Sequence, residues 1–156
     1  MKAITLTQPW ATLVAIGAKR IETRSWGTNY RGPLAIHAAK GLGSVGGLEG
    51  LKDLCQTPPF NTVLLSAGIH FAHELPLGAV VATCRVAECF HIDSANPAPA
   101  LAWFEAHAAD NDREFGDYTL GRYMWLLDDI VALPEPSPAR GLLGLWEWAA
   151  PGEVTP

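Results

Sequence analysis

Apolar and polar positions along this chain come in short blocks, some with a period of two and others with the spacing of a helix face. Lys2–Leu6 alternates and is rich in apolar residues, which predicts a strand. Gln8–Ala18 carries Trp10, Leu13, Val14 and Gly17 on one helical stripe. Pro9 suits the first turn of that helix, where an amide has no intrahelical partner, and Gly17 sits near its stop. Arg20–Trp26 returns to a period of two, with Ile21, Thr23 and Ser25 on one side and Arg20, Glu22, Arg24 and Trp26 on the other. After a loop over 27–32, Leu34–Ala38 resumes a strand. Between Gly41 and Pro76, Leu48, Leu51, Leu54 and Cys55 predict one helix. Val63, Ala67 and Phe71, with Leu64, Gly68 and Leu75 beside them, predict another beyond Thr57-Pro58-Pro59. The glycines from 41 to 50 predict a mobile connection into this region. Gly78–Ile92 is a long strand, and Pro97 and Pro99 introduce a helix through His107. An acidic loop over 110–117 precedes a strand at Tyr123–Val131. Pro134, Pro136 and Pro138 read as a linker to the last strand, Gly144–Trp148. Strands and helices without regular alternation predict an α+β fold around a small curved sheet. The expected organisation is one domain over residues 1–150 with a frayed tail at 151–156.

Composition sharpens this picture. With 156 residues, 49% of them hydrophobic and 17% charged, the chain can bury a substantial core and is not disordered. No apolar run is long enough to span a membrane, and the first residues are too short and polar a stretch for a signal sequence, so a cytoplasmic protein is expected. Cys55, Cys84 and Cys89 are odd in number and lack a Cys-x-x-Cys pair, which points to buried free thiols rather than a disulfide framework or zinc knuckle. His70 and His73 share a face of a predicted helix but have no third ligand nearby, so they read as solvated surface residues. No metal site and no cofactor are implied. The formal charge of −5 is unevenly spread: the first forty residues hold six basic side chains against Glu22 alone, for +5, and the rest carries −10. A basic, tryptophan-bearing entry to an acidic chain suggests a localised anion site. It argues against nonspecific binding along duplex DNA, and leaves room for a nucleotide or a short single strand.

The chemistry that sequence suggests lies in that same stretch. On one strand face Glu22 and Arg24 are neighbours, and Lys19 precedes them within reach. If this face is solvated the pair contributes little. If it lines a cavity, Arg24 is a planar fork for phosphate or a base edge and Glu22 accepts an amino proton. Spacing alone leaves both readings open. Trp26, on the face of Glu22 and Arg24, is the better candidate to stack a base; Trp10 is either core or a stacking residue at the pocket mouth. Trp125, Trp146 and Trp148 sit in apolar strands and read as core. Gly116-Asp117-Tyr118 reads as a turn, or as a lid presenting Asp117 or Tyr118 to the pocket. No phosphate loop, nucleophile elbow or His-Glu-x-x-His motif occurs.

Taken together, Gln8-Pro9-Trp10-Ala11, the run Gly17-x-Lys19-x-x-Glu22-x-Arg24-x-Trp26, Arg31-Gly32 and Ile36-His37-Ala38-Ala39-Lys40 resemble the ASCH domain family of the PUA-like superfamily. Gly116-Asp117-Tyr118, Gly121-Arg122-Tyr123-x-Trp125 and the closing 141–148 stretch are similar to it as well. The resemblance implies a small PUA-like β-barrel with flanking helices, and a cleft for nucleic acid or a nucleoside. Trp10, Lys19, Glu22, Arg24, Trp26, Arg31, Lys40, Tyr118 and Arg122 would form the ligand-contacting set. Single-stranded RNA or a modified nucleoside in a basic cleft is the leading expectation. The family also holds apparent ribonucleases and a branch that hydrolyses acetylated cytidine, which suggests a metal-independent hydrolase using Lys19 and Glu22 as the alternative. Lys19 matches that branch's lysine, whereas Glu22 stands where the branch has threonine. A protein-interaction module is the third reading. The residues do not fix an oligomeric state.

Overall fold

The structure, a computed structural model, describes residues 1–152. Of the tail expected to fray, 153–156 lie outside the described residues. Strands β1 (Lys2–Leu6), β2 (Ile21–Arg24), β3 (Gly32–Ala38), β4 (Ala79–His91), β5 (Tyr123–Pro138) and β6 (Leu145–Glu147) form one sheet in the order β2-β5-β4-β3-β1-β6. All neighbours are antiparallel except β1 and β3. Helices α1 (Trp10–Ala15), α2 (Gly47–Gln56), α3 (Phe60–Ser66) and α4 (Ala98–His107) complete the α+β fold. β2 lies at one edge and β1 next to the other, yet Arg24 Nη2 on β2 donates to the Thr5 carbonyl on β1 at 2.8 Å. The sheet therefore curls until its two ends nearly meet, as a half-closed barrel.

Strand alternation fills both faces of this curl. Ile4, Leu6, Leu34, Ile36, Trp125 and Leu127 belong to the main cluster, closed by Ala11 and Val14 of α1. Ala3, Ala35, Val80, Trp146 and Trp148 pack together in a separate cluster, so the three expected core tryptophans are buried. Leu13 links α1 to α2 and α3 through Leu51, Phe60, Leu64 and Phe115. Phe104 of α4 packs with Ile21, Met124 and Leu126 of β2 and β5. Among the described residues no helix is long and apolar enough to cross a membrane.

Several boundaries differ from the pattern's forecast, each for a local reason. α1 stops at Ala15 because Gly17 takes φ +76° and the Leu13 carbonyl accepts both Ala18 N–H and Lys19 N–H; Gly17 is exposed, not part of the inner stripe. The glycine-rich stretch is structured: a 3-10 turn at Gly43–Val45 leads into α2. Gly46 and Gly47 have φ +80° and +76°, and a Cβ on Gly50 would collide with the Val45 carbonyl oxygen, so the glycines build a tight turn. α3 ends at Ser66, followed by Gly68 at φ +78°, and the Glu74 carboxylate then caps a short turn by accepting the amides of His70 and Phe71. His70 and His73 thus do not share a helix face. β5 continues through the prolines instead of ending at Val131. Pairing to β2 spans only Tyr123–Leu126, and the β4 register shifts between Val80 and Ala82, opposite 132–137, so Pro134 and Pro136 lie where ladder donors are not needed, while Pro138 stands at the ladder's end opposite Ala79.

All three cysteines are free, with Cys84 buried and Cys55 and Cys89 half-buried. Burial pushes the Cys84 thiol up to about 12. Iodoacetamide at mildly alkaline pH is expected to leave Cys84 unmodified in the folded protein and to label it after denaturation, as read by mass spectrometry.

Candidate ligand-binding cleft

The seam where the curled sheet nearly closes opens into a cleft of about 340 Å³. One wall is the end of β1 and the chain after it, Thr5–Thr7, with Trp10 at the start of α1; β2 gives Glu22, Thr23 and Arg24, and the 114–117 loop gives Glu114, Phe115 and Asp117. Glu22 and Arg24, which share a face by alternation, therefore border a recess, and Thr23 borders it as well although alternation assigns it to the other side. Glu22 is buried and lies between two cations: its Oε2 is 3.4 Å from Lys19 Nζ and its Oε1 3.0 Å from Arg24 Nε. The Arg24 Nε–H is not aligned on that oxygen, so the contact is Coulombic and a buried donor is left without an acceptor. Lys19, only 1% exposed, also donates to the Ile21 carbonyl and sits behind Glu22 rather than in the cleft wall.

The loop that closes the cleft is pinned by Asp112. Its carboxylate, fully buried, accepts the amides of Arg20 (3.0 Å), Ile21 (3.1 Å) and Ala109 (2.7 Å). Beyond this pin, Asp117 N–H donates to Thr23 Oγ1 at 3.0 Å, and Arg122 pairs with the Asp117 carboxylate at 3.3 Å while reaching the Thr23 carbonyl at 3.4 Å. The Thr119 hydroxyl and amide hold the Asp117 carboxyl below its usual range, with Arg122 adding to the effect. Asp117 thus both shapes a turn and lines the cleft.

Of the expected contact residues, Trp10, Glu22 and Arg24 meet in the cleft, with Lys19 behind and Arg122 at the loop base. Trp26 does not join them. β2 ends at Arg24 because β5, its partner, begins at Tyr123 opposite, and Trp26 packs edge-on against Trp125 at 4.8 Å. Of the two tryptophans expected there, Trp10 borders the cleft, together with Phe115. Tyr118 turns inward, donating to the Asp112 carbonyl at 2.8 Å and meeting Phe104 edge-on. Burial, with the Asp112 and Glu22 charges adding, pushes its phenol far up. Arg31 is exposed and braces its own loop through the Thr28 and Tyr30 carbonyls, and Lys40 borders a different cavity. Nor is the cleft basic. Lys2 pairs with Glu147 and Arg20 with Asp128 elsewhere, while Arg24 in the cleft faces Glu22, Glu114 and Asp117. Thr5, Thr7, Thr23 and Phe115 were not anticipated; nothing in their local pattern marks them, since their place follows from the curl of the sheet.

Comparison with known proteins identifies the family. A family model described as the ASCH domain matches residues 4–132. The chain belongs to the ASCH domain family. Over 86 residues this ASCH chain is 28% identical to activating signal cointegrator 1 of Mus musculus and of Homo sapiens, which is 55% of this chain and 14% of each relative. It therefore spans about a seventh of the length of these relatives. Two mutant forms of the Zymomonas mobilis protein ZmASCH have related solved structures, each with 15% identity over 88% of this chain. They cover 74% and 72% of those chains, with TM-scores of 0.47 and 0.48.

Proposed function

We propose that the seam cleft of this ASCH domain recognises a nucleobase carrying an exocyclic amino group, presented by a nucleoside or by single-stranded RNA. The observation that carries this reading is the fixed pair of Glu22 and Arg24 at the cleft floor with Trp10 beside it. Glu22 supplies an acceptor for an amino group, and the guanidinium, already held by the Thr5 carbonyl, supplies a donor edge for a ring nitrogen or carbonyl. A ligand acceptor reaching the orphaned Arg24 Nε–H would relieve its desolvation. Trp10 offers a stacking surface. The balance of charges around the floor favours a neutral heterocycle over a bare phosphate there.

Calorimetric titration with ribonucleosides and short single-stranded RNA at low salt tests this. Saturable binding is expected, weakened about tenfold to a hundredfold by Trp10→Ala, the value of one lost stacking contact. Absence of saturable binding to every nucleoside and oligonucleotide would overturn the reading.

The buried Lys19–Glu22 pair favours a second reading, in which Glu22 moves a proton during hydrolysis of a nucleoside amide or an RNA phosphodiester. Incubation with acetylated cytidine and with single-stranded RNA separates the two. Turnover lost in Glu22→Gln supports hydrolysis, and binding without turnover supports recognition alone.

A further inference from the structure

A second, larger cavity of about 790 Å³ lies on the other side of Thr5, which borders both hollows. Lys40 and Arg140 line it, and among the described residues no acidic side chain does. Its wall includes His37, only 1% exposed. The imidazole Nε2–H donates to the Ala139 carbonyl at 3.0 Å, which leaves Nδ1 as a buried acceptor without a partner. That ring edge faces Gly141: a Cβ there would overlap His37 and stand 2.8 Å from Thr5 Oγ1. Gly78, at φ +64°, gives the Lys40 stem a surface to lie along, 3.4–3.8 Å from where its Cβ would be. A third hollow of about 440 Å³, bounded by Thr5, Thr7, Arg24 and residues 141–144, shares Thr5, Thr7 and Arg24 with the seam cleft and Thr5 and Gly141 with this cavity.

We propose that this second cavity is a phosphate site, and that it takes the terminal phosphomonoester of the nucleotide whose base occupies the seam cleft. The assignment to a nucleotide rests on the base-recognition reading; the phosphate chemistry stands on the cavity itself. Two unopposed cations attract a phosphomonoester anion, and the seam cleft, rich in carboxylates, does not compete for it. A phosphomonoester, whose second ionisation lies near neutrality, keeps one P–OH proton in its monoanionic form and can donate it toward the Nδ1 lone pair, and a diester has no such proton. Burial holds the His37 imidazole below its usual range, against the Ala139 hydrogen bond, so Nδ1 is an acceptor at neutral pH.

The test compares the four common ribonucleosides, their monophosphates and inorganic phosphate, on the wild type and on a Lys40→Ala/Arg140→Ala variant. Both side chains are exposed, so the variant is expected to melt close to the wild type. Calorimetry should show a monophosphate binding about tenfold more tightly than its nucleoside, as one charge-assisted contact provides, and the preference should vanish in the variant while nucleoside affinity is kept. Equal affinity for nucleoside and monophosphate in the wild type overturns the phosphate site and leaves base recognition standing, as does a preference that survives the double substitution. If neither class binds, base recognition fails, and inorganic phosphate decides the remainder. A shift of the His37 ring nitrogen resonances that the variant lacks supports the phosphate site, and no shift overturns it.

Discussion

Asp112→Ala is expected to cost about 3–5 kcal/mol of stability and to lower the melting temperature by roughly 10 °C. The residue stands in a run that also holds Asp110, Glu114 and Asp117, yet it alone of these is buried. Its carboxylate is the acceptor for the amides of Arg20, Ile21 and Ala109, at 3.0, 3.1 and 2.7 Å. Alanine would leave those donors in a space closed to water, and the penalty is for stranded donors more than for lost attraction. Asp112→Asn keeps one acceptor oxygen but turns an amino group toward an amide that also donates, so a smaller but clear loss is expected. Thermal melting followed by circular dichroism reads both. Because the same carboxylate ties the 114–117 wall to the start of β2, ligand affinity should fall alongside stability. A melting temperature within about 2 °C of wild type in Asp112→Ala would show that other contacts hold the loop.

That role could not have been read from the chain. A carboxylate among other acids has no local mark of burial, and the amides it serves lie some ninety residues away, at Arg20 and Ile21. What could be read was periodic. The alternation around Glu22 and Arg24 placed both on one face, and the face does look into a recess. The same rule failed for Trp26, because alternation assumes that the strand continues, and β2 loses its partner once Tyr123 is passed. Gly27 then sits against the Tyr123 ring, at a distance a Cβ could not tolerate, and the chain turns away there. The proline run misled in the opposite direction. Prolines look like a linker when every strand position is assumed to need its donor, and 133–136 fall where the register with β4 shifts. The basic stretch was counted correctly along the sequence, but folding paired Lys2 and Arg20 with distant acids and sent Lys40 to another cavity. Charge counted along a segment is not charge gathered at a site.

The second large effect is expected from the buried ion pair under the cleft, and it should be asymmetric. Glu22→Gln removes the carboxylate beside Lys19, whose side chain is 1% exposed, and strands an ammonium with the Ile21 carbonyl as its remaining contact. A loss of about 3–5 kcal/mol is expected. Lys19→Met should cost less, because Glu22 keeps Arg24 at 3.0 Å and its side chain retains 11% exposure. In the double variant neither charge is left stranded, so it should be more stable than the sum of the single losses predicts, by about 1–3 kcal/mol. Chemical denaturation of the four proteins measures this coupling. Losses that simply add would mean that Lys19 is held by its carbonyl contact and does not depend on Glu22. Ligand affinity gives the second axis of the same experiment. Lys19→Met leaves the cleft wall chemically unchanged, so an affinity loss beyond the stability effect would mean that the buried cation sets the acceptor strength of Glu22. Unchanged affinity would confine Lys19 to holding the floor in place.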